Sequence, residues 1–286
     1  MARVIVNRVW QWHFGEGLVA TENDFGVMGQ RPSHPELLDW LARDFIASGW
    51  SLKHLHRRIV LSSAYQLSSA PNPRAARLDP DEHLLWRWKP RRQEAEAVHD
   101  AILVVSGQLN TQRGGPSVFP PLPASVLAGQ VKPGQGWGKS SELEAARRSV
   151  YIFMKRSLAV PELELLDVPD SAASCEQRLV STTGPQALTF LNGEFTRNQA
   201  QHFAARVQRE APGDPRAQIQ RAFERALSRA PSARELGGAL QFLAEQQQQI
   251  EQETRGTKPE NLDPRQKALT AFCLVLLNTN EFFYLN

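Results

Sequence analysis

Apolar residues recur at helical spacing along most of this chain, and this periodicity constrains its fold more than any other feature. Three such stripes follow one another at the start: Val4 to Phe14, Leu37 to Ile46, and Leu52 to Ala64. Each stripe is wide enough to bury one face of a helix and leave the other face polar. The pattern predicts a block of three packed amphipathic helices.

Capping signals set the expected ends of these helices. Gly15 supplies a C-terminal stop for the first helix. Ser33 and Glu36 have the spacing of a capping box, and Ser51 is placed to cap the third helix. Two aromatic residues of the first helix, Trp10 and Trp12, are expected to fill the core.

The rest of the chain is also predicted to be mainly helical. Residues 68–79 are expected to form a loop, residues 107–140 are Gly/Pro-rich and expected to be irregular, and Arg148 to Met154 is expected to form a strand. Further helices are predicted from Arg92 to Val105, Pro185 to Gln208, Pro215 to Leu227, Ala233 to Glu253 and Arg265 to Asn278, with a second capping box at Ser232 and Glu235.

These elements predict a mainly α, multi-helix globular domain with one or two short β-strands and a long irregular middle segment. We expect one domain over 1–286, with an N-terminal helical block (1–106), an irregular segment (107–184) and a C-terminal helical block (185–286). The two blocks are expected to pack together around residues 151–153. Because a helix begins at the second residue, the chain is expected to be the later part of a longer protein.

Composition excludes some classes of function. The sequence contains no run of about 18 apolar residues, so no membrane-spanning helix is predicted. A net charge of +3 is a weak footprint for nucleic acid. Cys175 and Cys273 lie too far apart in sequence for a C-x-x-C motif, which leaves a disulfide or two thiols as alternatives.

Several ordered motifs resemble a planctomycete-type domain family of unknown function. They are residues 2–10 with His13-Phe14-Gly15, Asn23-Asp24-Phe25-Gly26, residues 34–41, 49–57 and 63–65, Gly114-Gly115-Pro116, residues 147–151, 167–170, 173–175, 181–183, 185–188, 191–192 and 278–284. The resemblance covers nearly the whole chain.

The resemblance implies a mostly helical domain at the C-terminal end of large surface or secreted proteins. These proteins often begin with a cytochrome-c-like domain, so haem is expected only in an upstream domain and no cofactor is expected in this chain. The resemblance also implies an extracytoplasmic location. Where the family often has an acidic residue before its Ser-Thr-Thr segment, this chain has residues 177–180 without one.

Candidate ligand-binding residues fall into two groups. The first is an aromatic platform made by Trp10, Trp12 and His13, which would bind a sugar or a partner. The second is the stretch Trp86 to Arg92, in which Trp86, Arg87 and Arg91 would bind an anionic polysaccharide or, less well, nucleic acid. The simpler interpretation of both groups is buried tryptophans with packed arginine stems.

The most chemically varied stretch lies between residues 167 and 192. Asp167, Asp170 and Cys175 are its candidate catalytic groups. Thr182 belongs to a segment that also fits an N-terminal helix cap, and Asn192, expected in a helix interior, would tie helices together or line a cleft. Other candidate ligand-binding residues are Asp24 and Arg147.

No metal site is predicted. His34, His54 and His56 are the nearest histidines in sequence, but His54 and His56 point about 200° apart on a helix and cannot share an ion. His34 is expected to order the turn before its helix.

These observations favour a non-catalytic interaction or scaffold module that binds protein or polysaccharide at the cell surface. An uncharacterised enzyme acting on polysaccharide is the second hypothesis, and nucleic-acid binding through Trp86 to Arg92 is the third. An enzyme should show a pocket where Asp167, Asp170, Arg147 or His13 converge.

Overall fold

The chain forms two compact units. The structure, a computed structural model, describes residues 1–128, 132, 134–156, 158–171, 174–253 and 263–285. The first unit contains residues 1–92, 175–177 and the C-terminal residues from Tyr284. The second contains residues 93–174 and 178–283. The expected packing of an N-terminal block against a C-terminal block stays a prediction.

Helices dominate the described residues, as predicted. The α-helices are α1 (Ala2–Phe14), α2 (Pro35–Ala47), α3 (Leu52–Val60), α4 (Pro73–Leu78), α5 (Ala95–Ser106), α6 (Ala124–Ala128), α7 (Glu142–Ala145), α8 (Pro161–Leu165), α9 (Gly184–Asn192), α10 (Glu194–Glu210), α11 (Pro215–Leu227), α12 (Ala233–Glu253), α13 (Pro264–Leu277) and α14 (Asn280–Phe283). Two short strands, β1 (Arg91–Arg92) and β2 (Tyr284–Leu285), pair antiparallel.

The first unit is built on α1, α2 and α3, which share one apolar core. Its fully buried members are contributed by all three helices and by the segment after α1: Val6, Val9, Leu18, Val19, Leu38, Leu41, Phe45, Leu55 and Ile59. Gly15 adopts a left-handed conformation and ends α1, and the Ser51 hydroxyl accepts a hydrogen bond from the His54 amide at the start of α3. Both predicted signals are therefore confirmed.

Three polar side chains of α1 hold the segment that follows it. The pairs are Asn7 with the backbone of Val19 (2.8 and 2.9 Å), Gln11 with Glu22 (2.8 Å) and Arg8 with Asn23 (2.9 Å). The Asn7 amide both donates to and accepts from the buried Val19 backbone, so it replaces a strand partner. The helix thus fixes the course of residues 18–30.

The second unit surrounds α10. This helix packs against α5, α9, α11 and α13, and α12 also packs along α13. Phe203, Ala204 and Val207 of α10 are fully buried, as are Val98 and Ile102 of α5. The capping box predicted for α12 is present, since Glu235 accepts from the Ser232 amide at 2.7 Å. A hydrogen bond from Arg229 lowers the pKa of Glu235 to about 2.

The predicted strand from Arg148 to Met154 is wrong. Residues 149–151 form a 3₁₀ turn, and only isolated bridges join this segment to the middle of the chain. The β-branched composition suggested a strand, but the Ser149 amide donates to the Asp100 carboxylate at 2.7 Å. This tertiary hydrogen bond replaces a strand ladder. Ile152 is buried as expected, whereas Phe153 is partly exposed.

The long helix predicted from Pro185 to Gln208 is in fact two helices. Gly193 adopts an extended conformation and separates α9 from α10. Asn192 is therefore the exposed last residue of α9, not an interior residue, and the expectation that it ties helices together is wrong. Glycine tolerates such a break because it has little preference for continuing a helix.

Two further local predictions need correction. Ser33 does not cap α2, because His34 is the N-cap residue and Pro35 opens the helix; the Ser33 hydroxyl donates to Leu18 O instead. The loop predicted for residues 68–79 contains α4, which Asn72 caps, and the irregular segment 107–140 contains α6.

Some residues assigned to apolar stripes face solvent. Trp12 is 58% exposed, and Ile46 and Leu52 are about half exposed. They lie near the ends of their helices, where the periodic pattern gives the least information about whether a side chain points to the core or to solvent. None of the helices in the described part of the chain has the length and apolar character needed to cross a membrane.

Candidate functional site

The first unit contains a cleft of about 540 Å³ beside the C-terminal end of α1. Its volume lies in the range of about 300–1,000 Å³ that is usual for ligand-binding sites. Four stretches of the unit's long N-terminal segment line it, together with Gln177: Trp10 and Phe14 to Leu18 with Ala20, then Gln30, Arg31, Ser33 and His34, then Glu82, His83 and Leu85, and finally Arg87 to Arg91.

Aromatic rings form the floor of the cleft. Trp10 stacks on Phe14 with ring centroids 4.1 Å apart, and Trp88 lies 5.9 Å from Phe14. Trp10 and Trp88 are only 5% and 8% exposed. The indole of Trp88 also donates to Leu285 O at 3.4 Å. The rings therefore give the cleft a rigid apolar base and expose little of their faces to a ligand.

Asp79 organises the loop that forms one wall. Its carboxylate accepts from the amides of His83 (3.1 Å) and Leu84 (2.8 Å), and its carbonyl accepts from the indole of Trp86 (3.0 Å). Within this loop Glu82 has a φ of 61°. Such left-handed conformations cost free energy for a residue with a side chain and occur often at binding sites.

Glu82 and Arg87 form an ion pair on this wall. The Arg87 Nε donates to Glu82 Oε1 at 2.7 Å, and the Arg87 guanidinium lies over the Trp86 ring at 4.9 Å. The Glu82 side chain is only 10% exposed. Its second oxygen, Oε2, is buried and has no hydrogen-bond partner among the described residues.

Positive charge exceeds negative charge around the cleft. Four cations line it, and two carboxylates, Glu16 and Glu82, oppose them. Among the described residues, the side chains of Arg31 and Lys89 have no ion-pair partner, and both are exposed. Their charge is thus available to an anionic ligand, whereas that of Arg87 is partly neutralised by Glu82.

A second, more open depression of about 550 Å³ continues from the cleft. Six lining residues belong to both: Glu16, Glu82, His83, Arg87, Lys89 and Pro90. The two depressions therefore form one groove with an open end.

His13 lies behind the cleft and takes part in a histidine pair. Its Nε2 is 2.8 Å from Nδ1 of His56, which joins α1 to α3, and the edge of Tyr65 packs on its ring. Burial lowers the pKa of His13, and the nearby His56 and Arg91 lower it further. His13 is not among the residues that line the cleft, and the platform expected with Trp10 stays a prediction.

Arg147 holds a loop of the second unit. Its buried guanidinium donates to the carbonyl oxygens of Gln112, Gly114 and Pro116 and lies over the Tyr151 ring at 3.9 Å. The Tyr151 hydroxyl accepts from the Gly114 amide at 2.9 Å. Arg147 is thus occupied with backbone acceptors, and together with Tyr151 it holds the Gly-Gly-Pro segment in place.

Ser149, His99 and Asp100 lie together without forming a nucleophilic site. The Ser149 hydroxyl donates to Asp100 at 2.7 Å and lies 3.0 Å from His99 Nδ1. In a serine nucleophile arrangement the two nitrogens of the imidazole contact the serine and the carboxylate separately. Here the same nitrogen, His99 Nδ1, lies 3.0 Å from Ser149 Oγ and 3.9 Å from Asp100 Oδ1. Ser149 and His99 are both buried. The cluster fixes the 3₁₀ turn to α5, and no local sequence signal indicates it.

Asp167 has a similar structural role. Its carboxylate accepts from the amide and the hydroxyl of Ser181, both at 2.8 Å, and Gln186 donates to the same hydroxyl. Gln186 also accepts from the amide of Thr183, the N-cap residue of α9. The predicted helix cap is thus confirmed, and Asp167 anchors it. Thr182 is exposed.

The remaining candidate residues do not converge on these groups. Asp24 accepts from the Gly26 amide within loop 21–30, and Asp170 and Cys175 are exposed. Cys175 and Cys273 are free thiols, and burial raises the pKa of Cys273.

The histidines considered for metal binding have other partners. His54 pairs with Asp44 at 2.8 Å, His56 pairs with His13, and His34 contacts Ser33. No cluster of three or more His, Cys, Asp or Glu side chains suited to a metal ion occurs within the described ranges. The expectation that this chain binds no metal and no cofactor stays a prediction from sequence.

A comparison with protein-family models finds a match for this chain. Residues 1–243 match the model of PSD1, a protein family of unknown function (DUF1553). This match spans most of the chain. The chain belongs to the DUF1553 family. No match was found among curated proteins, and none was found among solved structures.

Membership in the DUF1553 family confirms the resemblance to a domain of unknown function. The cleft lies wholly within the unit that begins the matched region. Of the candidates from sequence, it brings together Trp10, Arg87 and Arg91. Sequence reasoning missed Arg31 and Glu82, because nothing in their local sequence indicates that they approach the end of α1.

Proposed function

We propose that this DUF1553 chain is a non-catalytic interaction module that binds a ligand in the cleft of its first unit. The observation that carries this proposal is the lining of the cleft, where Arg31 and Lys89, both exposed and without ion-pair partners among the described residues, accompany a rigid aromatic floor. Such a lining offers charge and hydrogen bonds to a ligand.

The rival enzyme hypothesis receives less support. Asp167 and Arg147, two of the groups expected to converge in an enzyme, are engaged with Ser181 and with backbone carbonyls. Nucleic acid binding through Trp86 to Arg92 is also disfavoured, since base stacking needs exposed aromatic faces. Trp88 is buried, and the Arg87 guanidinium lies over the Trp86 ring.

The setting of this module is part of the same proposal. From the resemblance to surface and secreted proteins, we place it outside the cytoplasm, in an assembly that includes a cytochrome-c-like domain. Its partners there are polysaccharide or protein at the cell surface. We assign any haem of this assembly to its cytochrome-c-like domain and none to the cleft, so binding by this chain is proposed to need no cofactor.

Titration calorimetry with a panel of neutral and acidic polysaccharides tests binding, and an assay for new reducing ends on the same mixtures tests turnover. We expect binding without new reducing ends. Gln30→Trp, which places an indole at the exposed rim of the cleft, should abolish binding.

Three results would contradict the proposal. The first is the appearance of reducing ends that are lost in Asp167→Asn or Cys175→Ser. The second is binding that Gln30→Trp leaves unchanged, and the third is no binding to any member of the panel.

A further inference from the structure

We infer that the groove binds an acidic polysaccharide, recognised through carboxylates carried on its sugar rings. This inference rests on the proposed function and adds the chemical class of the ligand. It follows from three features of the described residues: the continuity of the groove, the arrangement of its charges and the hydrogen-bond acceptors on its wall.

The continuity of the groove favours a polymer. The cleft and the depression beyond it share six lining residues, and together they extend past the aromatic floor to Pro80 and Asp81. A compact metabolite would need only the enclosed part. A chain molecule can occupy the enclosed part with one segment and leave through the open end.

The charges favour an anion of low charge density. Arg31 and Lys89 come from separate segments, both are exposed, and neither has an ion-pair partner within the described residues. Glu16 and Glu82 line the same surface and would repel a densely charged polymer. A polysaccharide with one carboxylate per sugar presents separated charges that the two cations can pair with.

The acceptors favour a ligand that also carries hydroxyl groups. Carboxylates accept hydrogen bonds and donate none at neutral pH. The exposed carboxylate of Glu16, which lines both parts of the groove, therefore selects donors. Sugar hydroxyls are such donors, and phosphodiester oxygens are not. The groove thus combines cations for the carboxylates of the ligand with acceptors for its hydroxyls.

Matched polymers separate these features. The probes are polygalacturonate, its fully methyl-esterified form, which keeps the backbone and loses the charge, and dextran sulfate, which carries sulfate in place of carboxylate. Binding of each is measured by titration calorimetry at two salt concentrations. We expect the chain to bind polygalacturonate, with affinity that falls as salt rises, and to bind the other two at least about tenfold more weakly.

A pair of double variants tests the assigned cations. Arg31→Gln with Lys89→Gln removes the two available charges of the groove. Lys53→Gln with Arg74→Gln removes the same net charge from exposed positions of the first unit that do not line the groove. We expect the first variant to weaken polygalacturonate binding about tenfold or more and the second to leave it within about twofold.

The outcomes distinguish this inference from the proposed function. If the esterified polymer or dextran sulfate binds as well as polygalacturonate, and Gln30→Trp abolishes that binding, the assignment of carboxylates is wrong while the cleft remains a binding site. Equal losses in the two double variants would likewise overturn it. If none of these three polymers binds while another member of the polysaccharide panel does, the inference fails and the proposed function stands. If no member of the panel binds, both fail.

Discussion

Loop 21–30 shows how single residues set the shape of the first unit. The Thr21 hydroxyl donates to Asp24 O at 2.8 Å and accepts from the Gln30 amide at 3.0 Å. Val27 and Met28 at its tip are almost wholly exposed. The loop is therefore shaped by its own hydrogen bonds and by its anchors on α1, and its apolar tip contributes little to the core.

We predict opposite effects for two Gly→Ala substitutions. A Cβ at Gly29 would lie 2.1 Å from Asp24 O, so Gly29→Ala should destabilise the chain by about 1–3 kcal/mol. A Cβ at Gly237, within α12, meets nothing within 4 Å, so Gly237→Ala should stabilise it by about 0.5–1 kcal/mol. Urea unfolding measures the change in unfolding free energy for each variant. Changes of the same sign in the two variants would contradict the loop geometry.

Arg147 provides a second test at this scale. Arg147→Lys keeps the charge but loses the planar fork that reaches three carbonyls, so we expect a loss of about 2–4 kcal/mol in unfolding free energy. The neighbouring Arg148→Lys should cost less than about 1 kcal/mol, because the Arg148 side chain is largely exposed. Similar losses for the two variants would show that Arg147 does not hold the loop.

At the scale of elements, the pair of His13 and His56 couples α1 to α3. The lowered pKa of His13 means that the unfolded chain binds a proton there more readily than the folded chain. The resulting stabilisation is complete above the ordinary pKa of histidine, near 6.5, and decreases as the pH falls towards the lower folded value.

We therefore predict that His13→Gln reduces the pH dependence of stability. Six of the seven tryptophans belong to the first unit, so tryptophan fluorescence during urea unfolding reports mainly on that unit. As the pH falls from about 7.5 to 5.5, the unfolding free energy of the wild-type chain should decrease, and that of the variant should decrease less. His202→Gln, at an exposed position of α10, should behave like wild type. An unchanged pH profile in His13→Gln would contradict the role of the pair.

Elements were predictable where the deciding interactions are local. Gly15, Ser51 and the Ser232–Glu235 box act within one turn of their helices, and sequence placed them correctly. The segment after Arg147 was not predictable, because Asp100, distant in sequence, bonds the Ser149 amide and holds a turn. Composition alone suggested a strand there.

At the scale of the whole molecule, the candidate site could be predicted only in part. The Trp86–Arg92 stretch contributes Arg87 and Arg91, which its composition indicated. Arg31 and Glu82 reach the same cleft from other segments through the anchoring of residues 18–30 and the loop at Asp79. Such convergence depends on tertiary structure and leaves no periodic pattern in the sequence.

The most direct test of the central claim is hydrogen–deuterium exchange of the whole chain with and without oligogalacturonate. We predict that the ligand slows exchange in peptides covering residues 30–34 and 82–91 and leaves exchange in residues 167–186 unchanged. Protection confined to residues 167–186, or no protection at the cleft under saturating ligand, would contradict it.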